Sequence, residues 1–231
     1  MDAIQRTLFL SEEQEVYVLV CLSYLMMVMG FITFVTLLYE HVPYGRYASS
    51  RYGFPVNVKL AWFVQELPAF LVPLSLVLWR HCAKITHLPN QLLLLMFIFH
   101  YLQRSLIYPF LIRGGKSTPL ISFVLAFVFC IYNGYLQARY LSHYADYPPG
   151  WVTHPCFIIG GLFEYVSGAN FFGEIVEWSG FALAAHSVHS AAFALFTLIV
   201  LCNRGVAHHK WYLTKFEDYP KSRKALIPFV F

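Results

Sequence analysis

Long apolar runs separated by short polar stretches set the pattern of this chain. From Val16 to Tyr39 no position is charged. As a helix that run would extend roughly 36 Å, enough to cross a ~30 Å hydrocarbon core with some tilt. Glu12, Glu13 and Glu15 precede it, the reverse of the basic flank of a signal peptide, so a membrane span with an outside N-terminus is expected. Further spans are predicted at Ala61–Trp79, Leu92–Ile112 and Leu120–Gln137, and the largely apolar stretch from Phe163 to Cys202 has room for two helices, which makes six spans. The linkers are a Tyr/Gly-rich loop over Glu40–Lys59, short turns at His87–Gln91 and Gly114–Pro119, and the loop Tyr144–Pro155 with its Pro148-Pro149-Gly150. The chain carries no internal repeat and no low-complexity tract.

Composition agrees with a bilayer protein. Of 231 residues, 58% are hydrophobic and 12% charged, against ~45–50% and ~25% for a soluble domain. A disordered chain, a disulfide scaffold or a nucleic-acid binder could not keep so much apolar surface in water. The 19% aromatic content exceeds what helix packing needs and suits membrane interfaces or stacking on a flat ligand. The five cysteines, Cys21, Cys82, Cys130, Cys156 and Cys202, stand singly and read as free thiols.

The placement of Lys and Arg tests the span count. The first loop has Arg46, Arg51 and Lys59, the second Arg80 and Lys84, the third Arg113 and Lys116 with Arg104 just inside a helix, and the fourth Arg139 alone. Odd loops therefore read as cytoplasmic, and so does the tail with Arg204, Lys210, Lys215, Lys221, Arg223 and Lys224. Six spans after an outside N-terminus would leave that tail outside. The charge pattern and the count disagree by one span.

Several spans hold polar residues that lipid should exclude: Glu66, Tyr101, Arg104, Asn170, Glu174 and Glu177. An ionisable group at membrane depth costs ~2.5–3.5 kcal/mol even on the lenient insertion scale, so it normally faces a bundle interior or a wet cavity. Trp62 and Glu66 are spaced i,i+4; Tyr101, Arg104 and Tyr108 i,i+3,i+7; Asn170, Glu174 and Glu177 i,i+4,i+7; and Arg204, His208, Tyr212 and Lys215 continue from the last span into the tail. Each set shares one helical face, and together they would line one polar, aromatic cavity open to the cytosol. Singly, Glu177 or Arg104 fits a structural ion pair as well as a functional role. Tyr44, Tyr47 and Tyr52 suit interfacial anchoring. His186 and His189 lack a carboxylate at matching spacing, so packing is the preferred reading for that pair; His208-His209 lacks a ligand set too, and no metal site is expected. Without a GxGxxG or Walker loop, no Rossmann or P-loop nucleotide fold is present.

Several motifs in fixed order match a known family: Val64-Gln65-Glu66-Leu67-Pro68; His100-Tyr101 with Arg104 and Tyr108; Arg113-Gly114-Gly115-Lys116; Asn133-Gly134-Tyr135-Leu136-Gln137; Gly160-Gly161-Leu162-Phe163-Glu164-Tyr165-Val166; Ala169-Asn170-Phe171-Phe172-Gly173-Glu174; and Phe216-Glu217-Asp218-Tyr219-Pro220-Lys221 through Pro228-Phe229. Over nearly its whole length the chain resembles the steroid 5-alpha-reductases, and its Arg-Gly-Gly-Lys form is similar to the type 1 branch. The resemblance implies an all-α, polytopic membrane bundle of the endoplasmic reticulum, one domain over residues 1–231 with six spans remaining of the family's seven. It implies NADPH-dependent reduction of the 4,5 double bond of 3-oxo-4-ene steroids such as testosterone and progesterone. The expected partners are a steroid and the lipid bilayer, with no nucleic acid and no obligate protein partner. A sterol double-bond reductase or an isoprenylcysteine methyltransferase is the related alternative, and Gln65-Glu66-Leu67-Pro68 favours the steroid branch.

Hydride added at C5 pushes charge onto the C3 oxygen, and a buried proton donor aimed there lowers the barrier most. Glu66 is the candidate, because an apolar surrounding favours the neutral, proton-donating form of a carboxylic acid. The resemblance gives the same role to the matching Glu with the matching Tyr, here Tyr101. The enolate then takes a proton at C4. Trp62 is expected to wall the steroid cavity. The phosphates of NADPH need Arg where no Rossmann loop exists, which points to Arg104, Arg113 and Arg204. By resemblance Asn170 and Glu174 lie near the nicotinamide, and Tyr108, His208 and Tyr212 help hold the cofactor.

One departure stands out. Between Cys156-Phe157-Ile158-Ile159 and Leu162-Phe163-Glu164 the family carries a further hydrophobic segment, ending in Asn-Ile-His-Ser-Asp and a basic Arg-x-Leu-Arg-Lys-Pro loop. Here the joint at Gly160-Gly161 is abrupt, as a skipped exon or an error in gene prediction would leave it. The missing piece amounts to at least one span, ~20 residues, which accounts for the conflict between charges and count. A product so shortened is expected to be enzymatically weak or inactive, or to act only by association with an intact enzyme.

Overall fold

The computed structural model describes residues 11–40, 43, 45–154, 157, 170–215 and 225. Seven α-helices are present among them: α1 Glu12–Leu37, α2 Val58–Trp79, α3 Leu88–Leu102, the one-turn α4 Tyr108–Leu111, α5 Leu120–Arg139, α6 Asn170–Ala185 and α7 Val188–Lys215. Five segments are long and apolar enough to cross a membrane: Glu12–Leu37, Val58–Trp79, Leu88–Leu111, Leu120–Tyr144 and Val188–Lys215. Helix α6 has 16 residues, ~24 Å of rise, which is shorter than a typical hydrocarbon core. Large apolar side chains such as Phe31, Leu71, Phe99 and Leu125 stand exposed on the long helices, as lipid-facing surfaces require. The architecture is the expected all-α polytopic bundle. The Gly160-Gly161 joint lies outside the described residues.

Helix bounds differ from the hydropathy reading where caps extend a helix into polar sequence. Helix α1 begins at Glu12 rather than Val16, because Ser11 Oγ accepts from the Gln14 amide at 3.2 Å and the acidic first turn suits the positive end of the helix dipole. Helix α2 begins at Val58, where Asn57 Oδ1 accepts from the amides of Lys59 and Leu60 at 3.0 and 3.3 Å. Beyond Leu102 the chain widens into a π turn over Gln103–Ile107. Pro109, which has no N–H to offer Ser105, follows at once. A second π turn, Tyr140–Tyr144, closes with the Ala145 amide on the Tyr140 carbonyl at 2.8 Å and carries the fourth apolar segment past Gln137.

The chain forms two compact units, Met1–Leu22 with Pro43–Val152, and Ser23–Val42 with Thr153–Phe231. In the first unit α2 packs along α5. Their closest approach is at Gly134, where a Cβ would meet Ala69 Cα at 3.3 Å, the Pro68 carbonyl at 3.4 Å and Pro73 Cδ at 3.4 Å. Small residues at a helix crossing let backbones approach this way. A minimal antiparallel pair, β1 Pro55–Val56 with β2 Thr118–Pro119, ties the first loop to the start of α5.

The polar core of this unit joins α1 to α5. Arg139 and Glu15 are both fully buried and form a bidentate pair, Nε to Oε1 and Nη2 to Oε2, each 2.9 Å. The Tyr135 hydroxyl donates to Oε1 at 2.8 Å and the Tyr144 hydroxyl to Oε2 at 2.5 Å, while Arg139 Nη1 reaches the His81 carbonyl at 3.2 Å. His143 Nδ1 accepts from the Ala83 amide at 3.2 Å, which leaves Nε2 to donate to Glu12 Oε1 at 3.3 Å. Asn90 Nδ2 donates to the carbonyls of Leu141 and Ala145 at 2.7 and 2.9 Å, holding α3 to the π turn. Outside the spans, Lys84 donates to Asp146 at 3.0 Å and holds that carboxyl below its ordinary pKa.

In the second unit α6 and α7 form a hairpin through His186, whose φ is 41°, and Ser187, whose Oγ accepts from the Ser190 amide at 3.2 Å. Trp178 packs edge-on against Phe193 at 4.5 Å between centroids. On α1, a Cβ at Gly30 would meet Phe196 Cδ2 of α7 at 3.4 Å.

Because Glu15 and Arg139 are buried together, removing one strands the other. Arg139→Leu is expected to destabilise the protein by about 3–5 kcal/mol, and the double variant Glu15→Leu/Arg139→Leu by clearly less. Thermal unfolding in detergent compares the two.

Candidate functional site

The polar stripes predicted from spacing come together in two pairs, one in each unit. In the first unit, Trp62 and Glu66 lie on successive turns of α2, Tyr101 on the last turn of α3, Arg104 in the π turn and Tyr108 at the start of α4. Arg104 Nε donates to Glu66 Oε2 at 3.3 Å. The same guanidinium sits 5.1 Å from the Trp62 ring centroid, a cation–π distance, and Trp62 meets Tyr108 edge-on at 5.1 Å. Glu66 is 7% exposed and Tyr101 4%, so both sit away from lipid and water as the insertion penalty demands.

Helix α5 supplies the third wall, which the spacing analysis had not singled out. Cys130 Sγ lies 4.0 Å from Glu66 Oε2. Asn133 Nδ2 donates to the Tyr101 hydroxyl oxygen at 3.4 Å, and Gln137 Nε2 donates to Asn133 Oδ1 at 3.3 Å. Asn133 and Gln137 are polar residues spaced i,i+4 in a membrane span, the same signal that marked the other stripes. Phe97 packs against the Tyr101 ring at 4.8 Å.

The π turn is what aims this set. A π turn adds one residue to the helical repeat, and here Arg104 turns to Glu66 and Trp62 while Tyr101 meets Asn133. Ser105, fully buried, closes the turn by donating to the Tyr101 carbonyl at 2.6 Å.

In the second unit, Glu174 and Glu177 of α6 and Arg204 and His208 of α7 are half-buried. Phe171 links the two helices: Arg204 lies 5.3 Å from its ring centroid and His208 packs edge-on at 5.2 Å. Arg204 and His208, i,i+4, thus share one face as predicted. The Asn170 and Tyr212 side chains lie outside the described part of the structure. Arg113 is exposed in the turn that follows α4. His189 is buried in the α6–α7 hairpin.

The donor chemistry divides accordingly. The first unit holds an acid, a phenol, a guanidinium and an indole around one buried spot, a set able to polarise a carbonyl and face a flat apolar ligand. The second holds a guanidinium and an imidazole on one aromatic ring, donors that fit an anionic group with an aromatic ring.

A double-mutant cycle with Glu66→Gln and Arg104→Gln is expected to give a coupling of about 1 kcal/mol in detergent thermal unfolding, because the arginine side chain is 21% exposed and the pair is neither fully buried nor fully solvated.

Comparison with known proteins adds an independent finding. A family model described as 3-oxo-5-alpha-steroid 4-dehydrogenase matches residues 116–161 and 156–231. The chain is similar to rat 3-oxo-5-alpha-steroid 4-dehydrogenase 1, 48% identical over 255 residues, covering 96% of this chain and 98% of the relative. It is similar to the mouse protein of the same name, 48% identical over 253 residues with 95% and 99% covered. To rat 3-oxo-5-alpha-steroid 4-dehydrogenase 2 it is 40% identical over 235 residues, with 86% and 92% covered. The 255-residue alignment is longer than this 231-residue chain, so the rat relative carries residues with no counterpart here. The two matched pieces of the family model meet at 156–161.

Proposed function

Because the chain belongs to the 3-oxo-5-alpha-steroid 4-dehydrogenase family, oxidoreductases acting on a CH–CH bond, we propose that its site reduces the 4,5 double bond of 3-oxo-4-ene steroids such as testosterone and progesterone. The observation that carries this is the buried cluster of Glu66, Arg104, Trp62 and Tyr101. NADPH, when bound, supplies a hydride to C5 of the steroid. Glu66 and Tyr101 meet the charge that then develops on the C3 oxygen. Glu66 Oε2 accepts from Arg104, so Arg104 orients the Glu66 carboxyl within the cluster. The Trp62 indole walls the flat steroid. A proton from solvent or a nearby acid completes C4, so one hydride and one proton are added in all.

Arg104, Arg113 and Arg204 are assigned to the cofactor phosphates, Asn170 and Glu174 to the nicotinamide end, and Tyr108, His208 and Tyr212 to holding the dinucleotide. The setting is the endoplasmic reticulum membrane with a cytoplasmic tail in the full-length family. The residues of the relatives that lack a counterpart here, and the break of the family match at 156–161, favour a second reading: this form turns over weakly or not at all and acts by association with an intact enzyme.

Two measurements decide these points. In microsomes with testosterone and NADPH, the chain is expected to turn over well below the rat relative, and equal rates would overturn the impaired reading. With the relative's stretch restored at Gly160-Gly161, activity is expected to return, and its continued absence would overturn steroid reduction. In that restored protein Glu66→Gln should lower kcat about 100-fold or more with NADPH affinity unchanged. Equal losses in both would remove Glu66 from the carbonyl.

A further inference from the structure

The amide pair on α5 has no part in the chemistry above, yet it stands directly behind a residue that does. Asn133 and Gln137 are 0% and 1% exposed within a membrane-spanning helix. Burying two carboxamides in a membrane protein is unfavourable unless their hydrogen bonds are satisfied. They run in one direction: Gln137 Nε2 donates to Asn133 Oδ1 at 3.3 Å, and Asn133 Nδ2 donates to the Tyr101 hydroxyl oxygen at 3.4 Å.

The direction has a chemical consequence. An amide N–H cannot accept a hydrogen bond, so a phenol whose oxygen accepts from Asn133 Nδ2 must point its own proton elsewhere. Were the Asn133 amide turned over, Oδ1 would face Tyr101 and take that proton. The Gln137 donor at Oδ1 opposes the turn, which Asn133 could make only if the Gln137 amide turned over with it. Helix α5 cannot easily rotate to relax the arrangement, because Gly134, next to Asn133, lies against the backbone of α2 at Ala69 and Pro68.

We propose that Asn133, oriented by Gln137, is a positioning residue that fixes the Tyr101 hydroxyl as a hydrogen-bond donor to the ketone oxygen of the steroid. The proposal rests on the reading of Tyr101 under Proposed function. Both bonds are at the long end of the hydrogen-bonding range, and such contacts commonly tighten when ligand fills the site. The recognised feature is a carbonyl acceptor at the end of a flat apolar skeleton, so the device acts on binding as well as on turnover.

The test compares the affinity of the purified full chain in detergent for a 3-oxo-4-ene steroid and for its 3-deoxy counterpart, by equilibrium binding. The wild-type chain is expected to prefer the ketone about tenfold, the scale of one good hydrogen bond. Tyr101→Phe should reduce the preference to twofold or less, the remainder being what Glu66 contributes. Asn133→Leu should reduce it to twofold or less, and in the Tyr101→Phe background it should change nothing further. Gln137→Leu, one step more remote, should reduce it partially and give a measurement if Asn133→Leu fails to fold by thermal unfolding. A preference kept in Asn133→Leu or Gln137→Leu but reduced in Tyr101→Phe overturns the positioning role alone. A preference kept in Tyr101→Phe, or no binding of either steroid, overturns the assignment of Tyr101 and the positioning role with it.

Discussion

A bidentate ion pair with no solvent exposure, Glu15 with Arg139, is the contact on which the first unit depends. Two charges at that depth are tolerated because each oxygen of Glu15 and each nitrogen of Arg139 finds a partner: Tyr135 and Tyr144 donate to the carboxylate and the His81 carbonyl accepts from the guanidinium. Removing two ions from water is expensive, so such a pair contributes register more than net stability. It sets the start of α1 against the end of α5, and the π turn at Tyr140–Tyr144 is the local distortion that brings Tyr144 and His143 to the glutamates.

From that anchored helix the rest of the first unit follows by packing. Helix α5 presents Gly134 to α2, and the close approach there sets the depth at which Cys130 and Asn133 meet Glu66 and Tyr101. The π turn at Gln103–Ile107 serves the site as the one at Tyr140–Tyr144 serves the anchor. Pro109 removes a donor, the helix widens, and Arg104 faces Trp62 and Glu66. In the second unit the corresponding role falls to Phe171, which holds the Arg204 and His208 side chains against α6.

Much of this was legible beforehand, for identifiable reasons. The long helices followed from apolar runs, and their ends were misjudged where Ser11 and Asn57 cap a helix inside polar sequence, where α3 starts at Leu88 rather than Leu92, and where a π turn carries the chain past Gln137. The grouping of Trp62 with Glu66, and of Arg104 with Tyr108, followed from i,i+4 spacing, because a polar stripe in a lipid-facing helix must turn inward. The break in the family match at 156–161 coincides with the abrupt Gly160-Gly161 joint. Arg139, by contrast, read as a lone loop charge and Glu15 as a flank. Each looks unremarkable in its own segment, and only their meeting across more than a hundred residues makes them a core.

The division is a physical one. Apolar content, charge spacing and motif order are properties of the chain alone, and they determined an all-α membrane protein, its family and the faces that turn inward. Which inward faces meet depends on side-chain volume and hydrogen-bond direction at contacts between distant helices. Those contacts decided that Glu66 leans on Arg104, that Asn133 stands behind Tyr101, and that a buried Glu15 and Arg139 hold the first helix in place. No local pattern encodes such pairings, because each half is satisfied only by a partner that folding brings to it.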